Sequence, residues 1–394
     1  MQETLLVVNA GSSSIKFQLF EIAEHGRLDL ELKGQLEGIG TRPHLEAEDA
    51  TGRAVADDAY EPGAIGDVAA ALDRLEGWMV AQLGGRRPIA IGHRVVHGGP
   101  DLAAPVRIDP ATLAELEALV PLAPLHQPNN LAPIKVIAER YPDIVQVACF
   151  DTAFHRGHPE VAERFAIPDA LYREGVRRYG FHGLSYEYVS ERLRELAPEL
   201  AEGRVVICHL GSGASMCAVH AGRSVESTMG FTALDGLPMG TRCGQLDPGV
   251  VLYLLQQKGL DAGAIERILY RESGLEGLSG ISNDMRDLEA SEAPGAKLAI
   301  DYFVYRIVRE VGALASAMGG IDGVVFTGGI GEHSSLIRAR VVEGLSWLGA
   351  VLDEPANRGH RTMISAPSSA LGLLVVPTNE ELMIARHTLR LVRG

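Results

Sequence analysis

Short apolar runs, each followed by a glycine-rich turn and then an amphipathic stretch, recur along the chain, a pattern typical of α/β proteins. Residues 4–8 form an apolar run that predicts a strand buried on both faces, and the segment NAGSSS predicts the turn after it. After this turn, apolar residues at 15, 17 and 19 alternate with polar ones, as in a half-buried strand. The first elements are therefore expected to form a β-hairpin.

The same strand, turn and strand pattern returns 200 residues later, in RVVICHLGSGASMCAV. When Gly11 is aligned with Gly211, both apolar strands and both turns superpose, and Asn9 meets His209. Such hairpins are common, but a match in register over all three parts favours an internal duplication. The chain is therefore expected to contain two related domains.

The remaining pattern predicts one irregular region and several helices and strands. Residues 34–67 are polar and rich in Gly, Pro and acidic side chains, which predicts irregular peripheral structure outside the core. A helix is predicted to begin at Pro248 and to stop at Gly259, and residues 296–318 predict a long apolar helix. GVVF and LLVVP predict two strands, and each is followed by a predicted helix.

Composition and charge narrow the function classes. The 394 residues are 46% hydrophobic and 22% charged, which excludes a disordered chain and a coiled coil. The 51 acidic and 36 basic residues give a net charge of −15, which disfavours binding to a nucleic-acid backbone. Four cysteines without a CxxC pair, no signal peptide and no apolar run long enough to span a bilayer lead us to expect a cytoplasmic protein without nucleic-acid or membrane partners.

Three small-residue turns follow apolar strands: NAGSSS, HLGSGAS and TGGIGEHS. Turns of this kind expose backbone amides and hydroxyls where phosphates bind; each one alone is better explained as a tight turn, but the three together favour phosphate binding. The sequence contains neither a GxxxxGK[ST] loop nor a GxGxxG segment after a strand, so a Walker-type NTPase and a dinucleotide-binding domain are not expected. The histidine pairs in HRVVH and HRGH lack the partners of a zinc site.

Three cations stand next to small or glycine residues. Lys16 follows the first turn closely enough to reach a phosphate held there, and its alternative role is that of a solvated strand lysine. Arg94 lies in GHRVVHGG and Arg242 in MGTRCGQLDP. Flanking glycines allow a guanidinium to approach a carboxylate or phosphate closely, and the alternative for both arginines is a surface ion pair.

Carboxylates and a histidine complete the candidate chemistry. Asp151 ends a predicted strand, where it would either cap a helix or orient a metal-bound phosphate. His182 in YGFHGLS would either donate to a developing negative charge or have the structural role that is commoner for a lone histidine. Thr378 and Glu381 have the spacing of a capping box, which leaves Glu380 as the freer carboxylate for Mg²⁺.

Taken together, these motifs resemble those of the acetate kinase (acetokinase) family from end to end. The segments that carry the resemblance are, in chain order, NAGSSSIKF, GHRVVHGG, PLAPLHQPNN, FDTAFH, YGFHGLS, HLGSGAS, GTRCGQLDPG, SNDMRD, TGGIGEHS and PTNEEL. The resemblance implies two duplicated α/β domains of the actin, Hsp70 and hexokinase (ribonuclease H-like) type around a nucleotide cleft. It implies an N-terminal domain of residues 1–150 with the C-terminal helix 379–394, carrying the Mg²⁺ and acyl-substrate residues. Residues 151–378 would form a second domain with most of the ATP site.

The resemblance also implies a role for each matched position. The implied magnesium residues are Asn9 and Glu380. The implied catalytic residues are Arg94, Asp151, His182 and Arg242. The implied substrate pocket comprises Arg94, Val96, Leu125 and Phe181. The implied ATP-binding residues are Ser12, Ser14, Lys16, His209, Leu210, Gly211, Ser212, Gly213, Asp284, Met285, Arg286, Gly329, Ile330, Gly331, Glu332 and His333.

The reaction that the resemblance implies is reversible, direct in-line transfer of the ATP γ-phosphoryl group to acetate, giving acetyl phosphate and ADP. It implies Mg²⁺, with Mn²⁺ as a substitute, and a homodimer. A propionate or butyrate kinase on the same scaffold is the first alternative, because one methylene in an apolar pocket discriminates by only about 1–3 kcal/mol. A nucleotide-gated binding protein is the second, although a simple ATP switch requires none of the four implied catalytic residues.

Four residues depart from the usual pattern of the family. Ser212 replaces an asparagine in the HLGSG turn, and Gln245 replaces an aspartate in GQLDP. His333 replaces an asparagine in GIGEH, and Ala233 replaces a proline beside the acyl pocket. These departures bear on nucleotide preference and acyl-chain selectivity and leave the implied reaction class unchanged.

Overall fold

A computed structural model describes residues 3–11, 13–124 and 126–394. The implied ATP-binding Ser12 and the implied substrate-pocket Leu125 lie outside these described residues. The chain divides into two compact units. The first unit comprises Met1–Ala153 and Asn379–Gly394, and the second unit comprises Phe154–Thr378. Among the described residues, no helix is long and apolar enough to cross a membrane.

The first unit is built on a mixed sheet whose described strands follow the order β5-β4-β3-β2-β1-β6-β8-β7. These strands are β1 (Thr4–Ala10), β2 (Ser14–Ile22), β3 (Leu28–Glu37), β4 (His44–Asp49), β5 (Ala54–Ala59), β6 (Ala90–Val95), β7 (Val106–Arg107) and β8 (Val145–Phe150). The predicted hairpin is confirmed, because β1 and β2 pair antiparallel from Thr4↔Glu21 to Ala10↔Ile15. Strands β1, β6 and β8 are parallel neighbours, so their carboxyl ends meet at one edge of the sheet.

The prediction of irregular peripheral structure for residues 34–67 is wrong. This region contains the end of β3 and all of β4 and β5, which pair antiparallel at the side of the sheet beyond β2. Leu36, Leu45 and Ala47 are buried in the core of the first unit, while the residues beside them on β4 are acidic. One face of these outer strands is solvated, so their polar composition masked the short apolar alternation.

Helices cover the sheet of the first unit. They are α1 (Val68–Leu83), α2 (Pro110–Ala118), α3 (Gln127–Arg140) and the C-terminal helix (Glu380–Arg393). Side chains of α1 enter the core with those of β1 and β2, and α2 and α3 share a second cluster with β6 and β8. The C-terminal helix lies so close to β6 that a Cβ on Gly92 would be 2.3 Å from Thr388 Oγ1 and 2.6 Å from Ile384 Cγ2. Glycine is therefore required at position 92.

The C-terminal helix begins differently from the capping box predicted for Thr378 and Glu381. Its N-cap is Asn379, whose side chain accepts a hydrogen bond of 2.9 Å from the Leu382 amide. Thr378 Oγ1 is buried and has no hydrogen-bond partner among the described residues. At the other end of the helix, Arg393 forms an ion pair of 3.0 Å with Glu3, so the two ends of the chain lie together. The predicted capping box is absent because the side-chain carboxamide of Asn379, one residue after Thr378, caps the helix instead.

The second unit contains a smaller mixed sheet whose described strands follow the order β11-β10-β9-β12-β13. These strands are β9 (Arg204–Leu210), β10 (Ala214–His220), β11 (Arg223–Ser227), β12 (Gly323–Thr327) and β13 (Gly372–Val375). The order and directions match those of β3-β2-β1-β6-β8 in the first unit, with an antiparallel hairpin beside two parallel strands. The repeat detected around Gly11 and Gly211 is thus a repeat of the sheet topology.

Helices flank this second sheet. They are α4 (Glu160–Glu163), α5 (Asp169–Arg173), α6 (Gly183–Leu196), α7 (Pro198–Ala201), α8 (Pro248–Gln256), α9 (Ala262–Arg271), α10 (Gly274–Ser279), α11 (Met285–Ala290), α12 (Pro294–Ala317), α13 (Gly328–His333), α14 (Ser335–Gly344) and α15 (Glu354–Arg358). Short 3-10 helices span Glu24–Gly26, Val120–Leu122, Ala153–His155 and Ser346–Leu348. The helix start predicted at Pro248 is confirmed, with Asp247 as its N-cap. The long apolar helix predicted for residues 296–318 is α12.

Candidate functional site

In the first unit, polar side chains gather at the carboxyl ends of three parallel strands. Asn9 is near the end of β1, Arg94 is near the end of β6, and Asp151 follows β8 directly. Ligands of α/β proteins bind at this edge of a sheet, because the loops and helix ends there are free to carry chemistry. The strand order, which sequence patterning does not give, brings these residues onto neighbouring strands.

Arg94 and Asp151 form a two-pronged ion pair. Arg94 Nε and Nη2 donate hydrogen bonds of 2.9 Å and 2.7 Å to the two carboxylate oxygens of Asp151. The Asp151 side chain is 2% exposed, whereas that of Arg94 is 26% exposed. Although burial acts to lower the pKa of Arg94, Asp151 and Glu380 outweigh it and raise this pKa above its usual range. Arg94 therefore keeps its charge and offers part of its guanidinium to an anion.

Glu380 joins this pair from the first turn of the C-terminal helix. Its carboxylate lies 3.8 Å from Arg94 Nε and is largely buried. Burial raises the pKa of Glu380 to about 7; the charges of Asp151 and Glu381 add to the effect, and those of Arg94 and Lys16 oppose it. The carboxylates thus stand in a buried place where a cation would relieve their mutual repulsion.

Lys16 and Ser14 lie on β2, across the hairpin from β1. Lys16 pairs with Asn9 in the register of the two strands, and its side chain is exposed. The carbonyl of Ser14 accepts a hydrogen bond of 2.8 Å from the amide of Gly11, which closes the turn. Lys16 and Glu381 line the same surface depression. Lys16 therefore stands on the same hairpin as Asn9, the implied metal residue.

Two carboxamides that sequence reasoning missed hold the loop after β6. Asn130 Oδ1 accepts 2.9 Å from the amide of Val96, and Asn130 Nδ2 donates 2.6 Å to the carbonyl of Ala10. Gln127, three residues earlier on α3, bonds both the amide and the carbonyl of His97, at 3.2 Å and 3.1 Å. The PLAPLHQPNN segment carries both residues, but nothing in its letters indicates which backbone groups they meet. Val96, a predicted pocket residue, is thereby fixed by a buried side chain.

In the second unit, His182 lies at the start of α6 in a left-handed conformation with φ of 57°. Its Nδ1 is 2.8 Å from Ser215 Oγ, and its ring stacks on that of His209 with centroids 4.3 Å apart. Ser185 Oγ in turn lies 2.8 Å from His209 Nδ1. Sequence reasoning missed Ser215, a fully buried residue of β10 whose hydroxyl also contacts Tyr186. The predicted residues His182 and His209 therefore belong to one oriented cluster.

Arg242 and His182 converge on Gly213. A Cβ built on Gly213 would lie 3.0 Å from Arg242 Nη2 and 3.3 Å from His182 Nε2. Arg242 Nη1 donates a hydrogen bond of 2.6 Å to the carbonyl of Ala233. Because Gly213 has no side chain, the hydrogen-bond donors of Arg242 and His182 can both approach the turn after β9. The Ala233 carbonyl fixes the position of Arg242.

A cleft of about 430 Å³ opens beside this turn. Its walls come mostly from the three segments with implied ATP contacts, HLGSGAS, SNDMRD and TGGIGEHS, and they include Ser212 and His333. The lining residues are Gly211, Ser212, Asn283, Asp284, Met285, Arg286, Glu289, Gly329, Ile330, His333 and Ser334. Asp284 is the N-cap of α11 and also binds the guanidinium of Arg286, which lowers the pKa of Asp284 to about 2. The volume and this mixed lining suit a nucleotide-sized ligand.

Several implied ATP residues have roles in backbone structure. Glu332 Oε1 accepts hydrogen bonds of 2.8 Å and 3.1 Å from the amides of Gly328 and Thr378. Gly331 is buried, and its carbonyl accepts 2.8 Å from the buried guanidinium of Arg338. Leu210 ends β9 and is also buried. Glu332, Gly331 and Leu210 therefore do not line the cleft themselves but lie next in sequence to residues that do.

The last implied substrate residue and one departure from the family pattern also have defined surroundings. Phe181 is buried, and its carbonyl accepts a hydrogen bond of 3.0 Å from His155 Nε2. Gln245 Oε1 accepts from Arg306 at 2.6 Å and from Arg309 at 2.7 Å. The uncharged amide oxygen of Gln245 is therefore an acceptor for two arginines.

Comparison with known proteins decides the family. Residues 4–386 match the model of the acetokinase family. The chain belongs to this family. Among its relatives, the acetate kinase of Nitrobacter hamburgensis is 58% identical over 390 residues, covering 99% of this chain and 96% of the relative. The acetate kinase of Rhizobium meliloti is 56% identical over 390 residues, covering 99% of this chain and 98% of the relative.

Solved structures of the family agree over the full length. A propionate kinase from Francisella tularensis is 36% identical, with a TM-score of 0.91 that covers 98% of this chain and 99% of that one. The acetate kinase of Porphyromonas gingivalis is 37% identical, with a TM-score of 0.88 that covers 99% of this chain and 100% of that one. The predicted α/β fold with two related sheets is therefore confirmed.

Proposed function

We propose that this chain is an acetate kinase, which transfers the γ-phosphoryl group of ATP reversibly to acetate and forms acetyl phosphate and ADP. The observation that carries the proposal is the membership of the whole chain in the acetokinase family, together with its high identity to acetate kinases. The clustering of the implied residues within each unit supports it.

In the first unit, Arg94 is proposed to bind the carboxylate of acetate. Its guanidinium is held in a fixed plane by Asp151 while a quarter of the side chain is exposed, which suits a carboxylate as ligand. Val96 is proposed to contact the methyl group, together with Leu125 and Phe181 as the resemblance implies. Because acetate is ionised near neutral pH, Asp151 has no need to act as a strong base. We assign it the orientation of Arg94 and of the substrate.

In the second unit, the cleft lined by Ser212, Asp284 and His333 is proposed to bind ATP. His182 and Arg242 are proposed to stabilise the charge that develops on the transferred phosphoryl group. Both point at the turn around Gly213, so their donors are fixed before the substrate arrives. Fixed donors lower the barrier because no reorganisation is needed during the transfer.

The family implies a divalent cation, and the donor set of Asn9 and Glu380 fits one. Carboxylate and amide oxygens are the ligands that Mg²⁺ prefers, and the carboxylate of Glu380 is largely buried close to two other acidic residues, Asp151 and Glu381. We propose that Asn9 and Glu380 hold Mg²⁺, or Mn²⁺ in its place. When bound, the cation neutralises phosphate charge. Lys16 is proposed to contact the nucleotide phosphates from the same hairpin as Asn9.

A propionate kinase is the second candidate, and one observation favours it. The Francisella propionate kinase shares the fold and 36% of the residues. Ala233, which stands where the family often has proline, would slightly enlarge the proposed acyl pocket, whereas Val96 favours a small one. The cytoplasmic location and the homodimer implied by the resemblance stay predictions, and gel filtration with light scattering tests the latter.

The decisive experiment supplies ATP, Mg²⁺ and acetate, propionate or butyrate in turn, and traps the acyl phosphate with hydroxylamine. We expect hydroxamate with the largest kcat/KM for acetate. If none of the three acids gives hydroxamate, the kinase proposal fails; if propionate gives the largest kcat/KM, the assignment to acetate fails.

The Arg94→Ala variant tests the assignment of the carboxylate site. Removal of the guanidinium should raise KM for acetate by about 10²-fold or more, because a charged hydrogen-bonded pair is lost. KM for ATP should change little. Arg53→Ala, in an exposed ion pair of the same unit, is the matched control. An unchanged KM for acetate in Arg94→Ala contradicts the assignment.

A further inference from the structure

Three backbone carbonyls just before His182 are held by two consecutive residues. His155 Nε2 lies 3.0 Å from the carbonyl oxygen of Phe181. Arg156 Nη2 donates to the carbonyls of Arg178 and Tyr179, at 3.4 Å and 2.9 Å. The backbone of residues 178–181, which precedes the proposed catalytic His182, is therefore held by hydrogen bonds from His155 and Arg156, which lie outside the proposed site.

Ser224 connects His155 to a second histidine. Ser224 Oγ on β11 lies 2.8 Å from His155 Nδ1 and 2.6 Å from His158 Nε2. Cys217 Sγ on β10 lies 3.2 Å from the same hydroxyl oxygen. His155 and Ser224 are buried, and His158 is half-buried. These four side chains, which we call the His155 network, thus meet within the second unit.

The Phe181 carbonyl fixes the direction of every hydrogen bond in this network. A carbonyl only accepts, so His155 Nε2 carries the hydrogen, and Nδ1 of the neutral ring is an acceptor. Ser224 must then donate its single hydrogen to His155 Nδ1. Its lone pairs remain to accept from His158 Nε2, while the Cys217 thiol has the Ala218 carbonyl as an acceptor at 3.5 Å. One tautomer of each histidine satisfies all these contacts without a charge.

The backbone that the network holds is one that needs support. Gly180 has φ of 72°, and a Cβ there would lie 2.6 Å from the ring of His155. His182 itself has φ of 57°, a left-handed conformation that is unfavourable for residues other than glycine. A conformation of this kind persists only when its surroundings hold it in place. Between these two residues lies the carbonyl that His155 binds.

We propose that His155, oriented by Ser224 and His158, is a positioning residue that aims His182 at the transferred phosphoryl group. The proposal rests on the catalytic role of His182 in the proposed function. Burial keeps the pKa of His155 well below its usual value and lowers the pKa of His158 to about 4, so both rings stay neutral at neutral pH. The nearby charge of Arg156, which contacts Glu163, acts in the same direction on both rings.

Ser224→Ala tests the proposal without a change in any group that would touch substrate. Without the hydroxyl, His155 Nδ1 loses its donor, so the ring is free to adopt the other tautomer and release the Phe181 carbonyl. We expect kcat to fall about tenfold or more, since a displacement of about 1 Å can cost 10²-fold. KM for ATP should stay within about twofold, because Ser224 and the segment it supports do not line the cleft proposed to bind ATP.

Two comparison variants separate positioning from general loss of structure. Ser190→Ala removes another buried hydroxyl of the second unit, which has no hydrogen-bond partner among the described residues, and it should leave kcat unchanged. His155→Gln keeps a donor for the Phe181 carbonyl and an acceptor for Ser224, and it should retain more activity than His155→Leu. Equal activity in these two His155 variants, or wild-type kcat in Ser224→Ala, overturns the proposal.

Nitrogen-15 NMR of the histidine rings provides a readout that does not depend on activity. In the wild-type chain, the His155 signal should be that of the neutral Nε2–H tautomer, and Ser224→Ala should shift it toward the Nδ1–H form. A wild-type Nδ1–H tautomer overturns the proposal even if the variants fold poorly. If the wild-type chain forms no acyl phosphate from any acid, the proposed function fails, whereas the tautomer result still tests the network.

Discussion

Gly213 shows how one missing side chain organises the proposed chemistry of the second unit. Arg242 and His182 both approach it, and the backbone carbonyl of Ala233 holds the arginine from the other side. Gly213 has no positive φ, so its role is one of space and not of backbone freedom. A methyl group at this position would therefore disturb the donors with little strain in the turn.

We predict that Gly213→Ala lowers kcat by about tenfold or more while the free energy of unfolding stays within about 1 kcal/mol of the wild type. The added Cβ would displace the Arg242 and His182 donors by a few tenths of an ångström. Steady-state kinetics and urea unfolding of the same samples measure both quantities. Gly263→Ala on α9, where a Cβ meets only Asp261 Oδ1 at 3.6 Å, should leave kcat unchanged. Wild-type kcat in Gly213→Ala would contradict the geometry.

Sequence motifs predicted the residues that are proposed to contact substrate far better than the residues that position those side chains by hydrogen bonds. Arg94 and His182 stand in glycine-containing segments, and Asp151 ends a predicted strand. Asn130 and Ser215 contact partners that are distant in sequence, and nothing in their own segments singles out these two residues. A hydrogen bond to Ala10 or His182 is defined only once the strands and helices have packed.

At the scale of elements, a strand that is buried on both faces was predictable from the sequence, whereas the outer strands with one solvated face were not. The run of residues 4–8 predicted β1, but β4 and β5 were missed because acidic residues dominate their outer face. The helix cap failed for a related reason. Both Thr378 and Asn379 are good capping residues, and the choice between them depends on how the chain leaves β13.

The first prediction at this scale concerns the start of the C-terminal helix. Asn379→Ala should lower the free energy of unfolding by about 1 kcal/mol, because the Leu382 amide loses its acceptor. Thr378→Val should be neutral or stabilising, since the Thr378 hydroxyl is buried without a hydrogen-bond partner among the described residues. Thermal and urea unfolding measure both variants. A larger loss of unfolding free energy in Thr378→Val than in Asn379→Ala would show that Thr378 is the cap, as the capping box predicts.

The second prediction concerns the contact of this helix with β6. Gly92→Ala should destabilise the protein by about 1–3 kcal/mol, because a Cβ would overlap Thr388 and Ile384. Gly77→Ala is the opposite case, since it lies inside α1 with open space around its Cβ position. That substitution should stabilise the protein by about 0.5–1 kcal/mol. The same sign for both variants in urea unfolding would refute this account.

On the scale of the whole molecule, both units contain histidines whose partial or complete burial disfavours protonation. Burial lowers the pKa of His93 in the first unit to about 4, and it lowers the pKa of His158 in the second unit to about 4. An unfolded histidine has a pKa near 6.5, so the unfolded chain binds more protons than the folded one between these values. Stability should therefore fall as the pH drops from about 6.5 to 4. Between pH 6.5 and the isoelectric point near 5.4, the negative net charge decreases in magnitude, so electrostatic repulsion does not cause the loss of stability in that interval.

The contribution of His93 can be isolated. Its Nε2 bonds Gln146 at 2.8 Å, and its Nδ1 is buried without a partner among the described residues. Between pH 7.5 and pH 5, the wild type should lose about 2 kcal/mol more unfolding free energy than His93→Gln, which cannot titrate. Urea unfolding at the two pH values measures this difference. Equal losses in both proteins would show that His93 titrates normally in the folded chain.

The ion pair between Glu3 and Arg393 has a consequence for how the chain folds during synthesis. The first unit is incomplete until its C-terminal helix leaves the ribosome, whereas the second unit is one continuous segment, Phe154–Thr378. Domains fold as units once their residues are available, so the second unit can form while the first still waits for its last helix. The meeting of the two ends also means that a short linker could join them. A permuted chain that starts at Phe154 and crosses this linker would carry each unit as a single uninterrupted stretch.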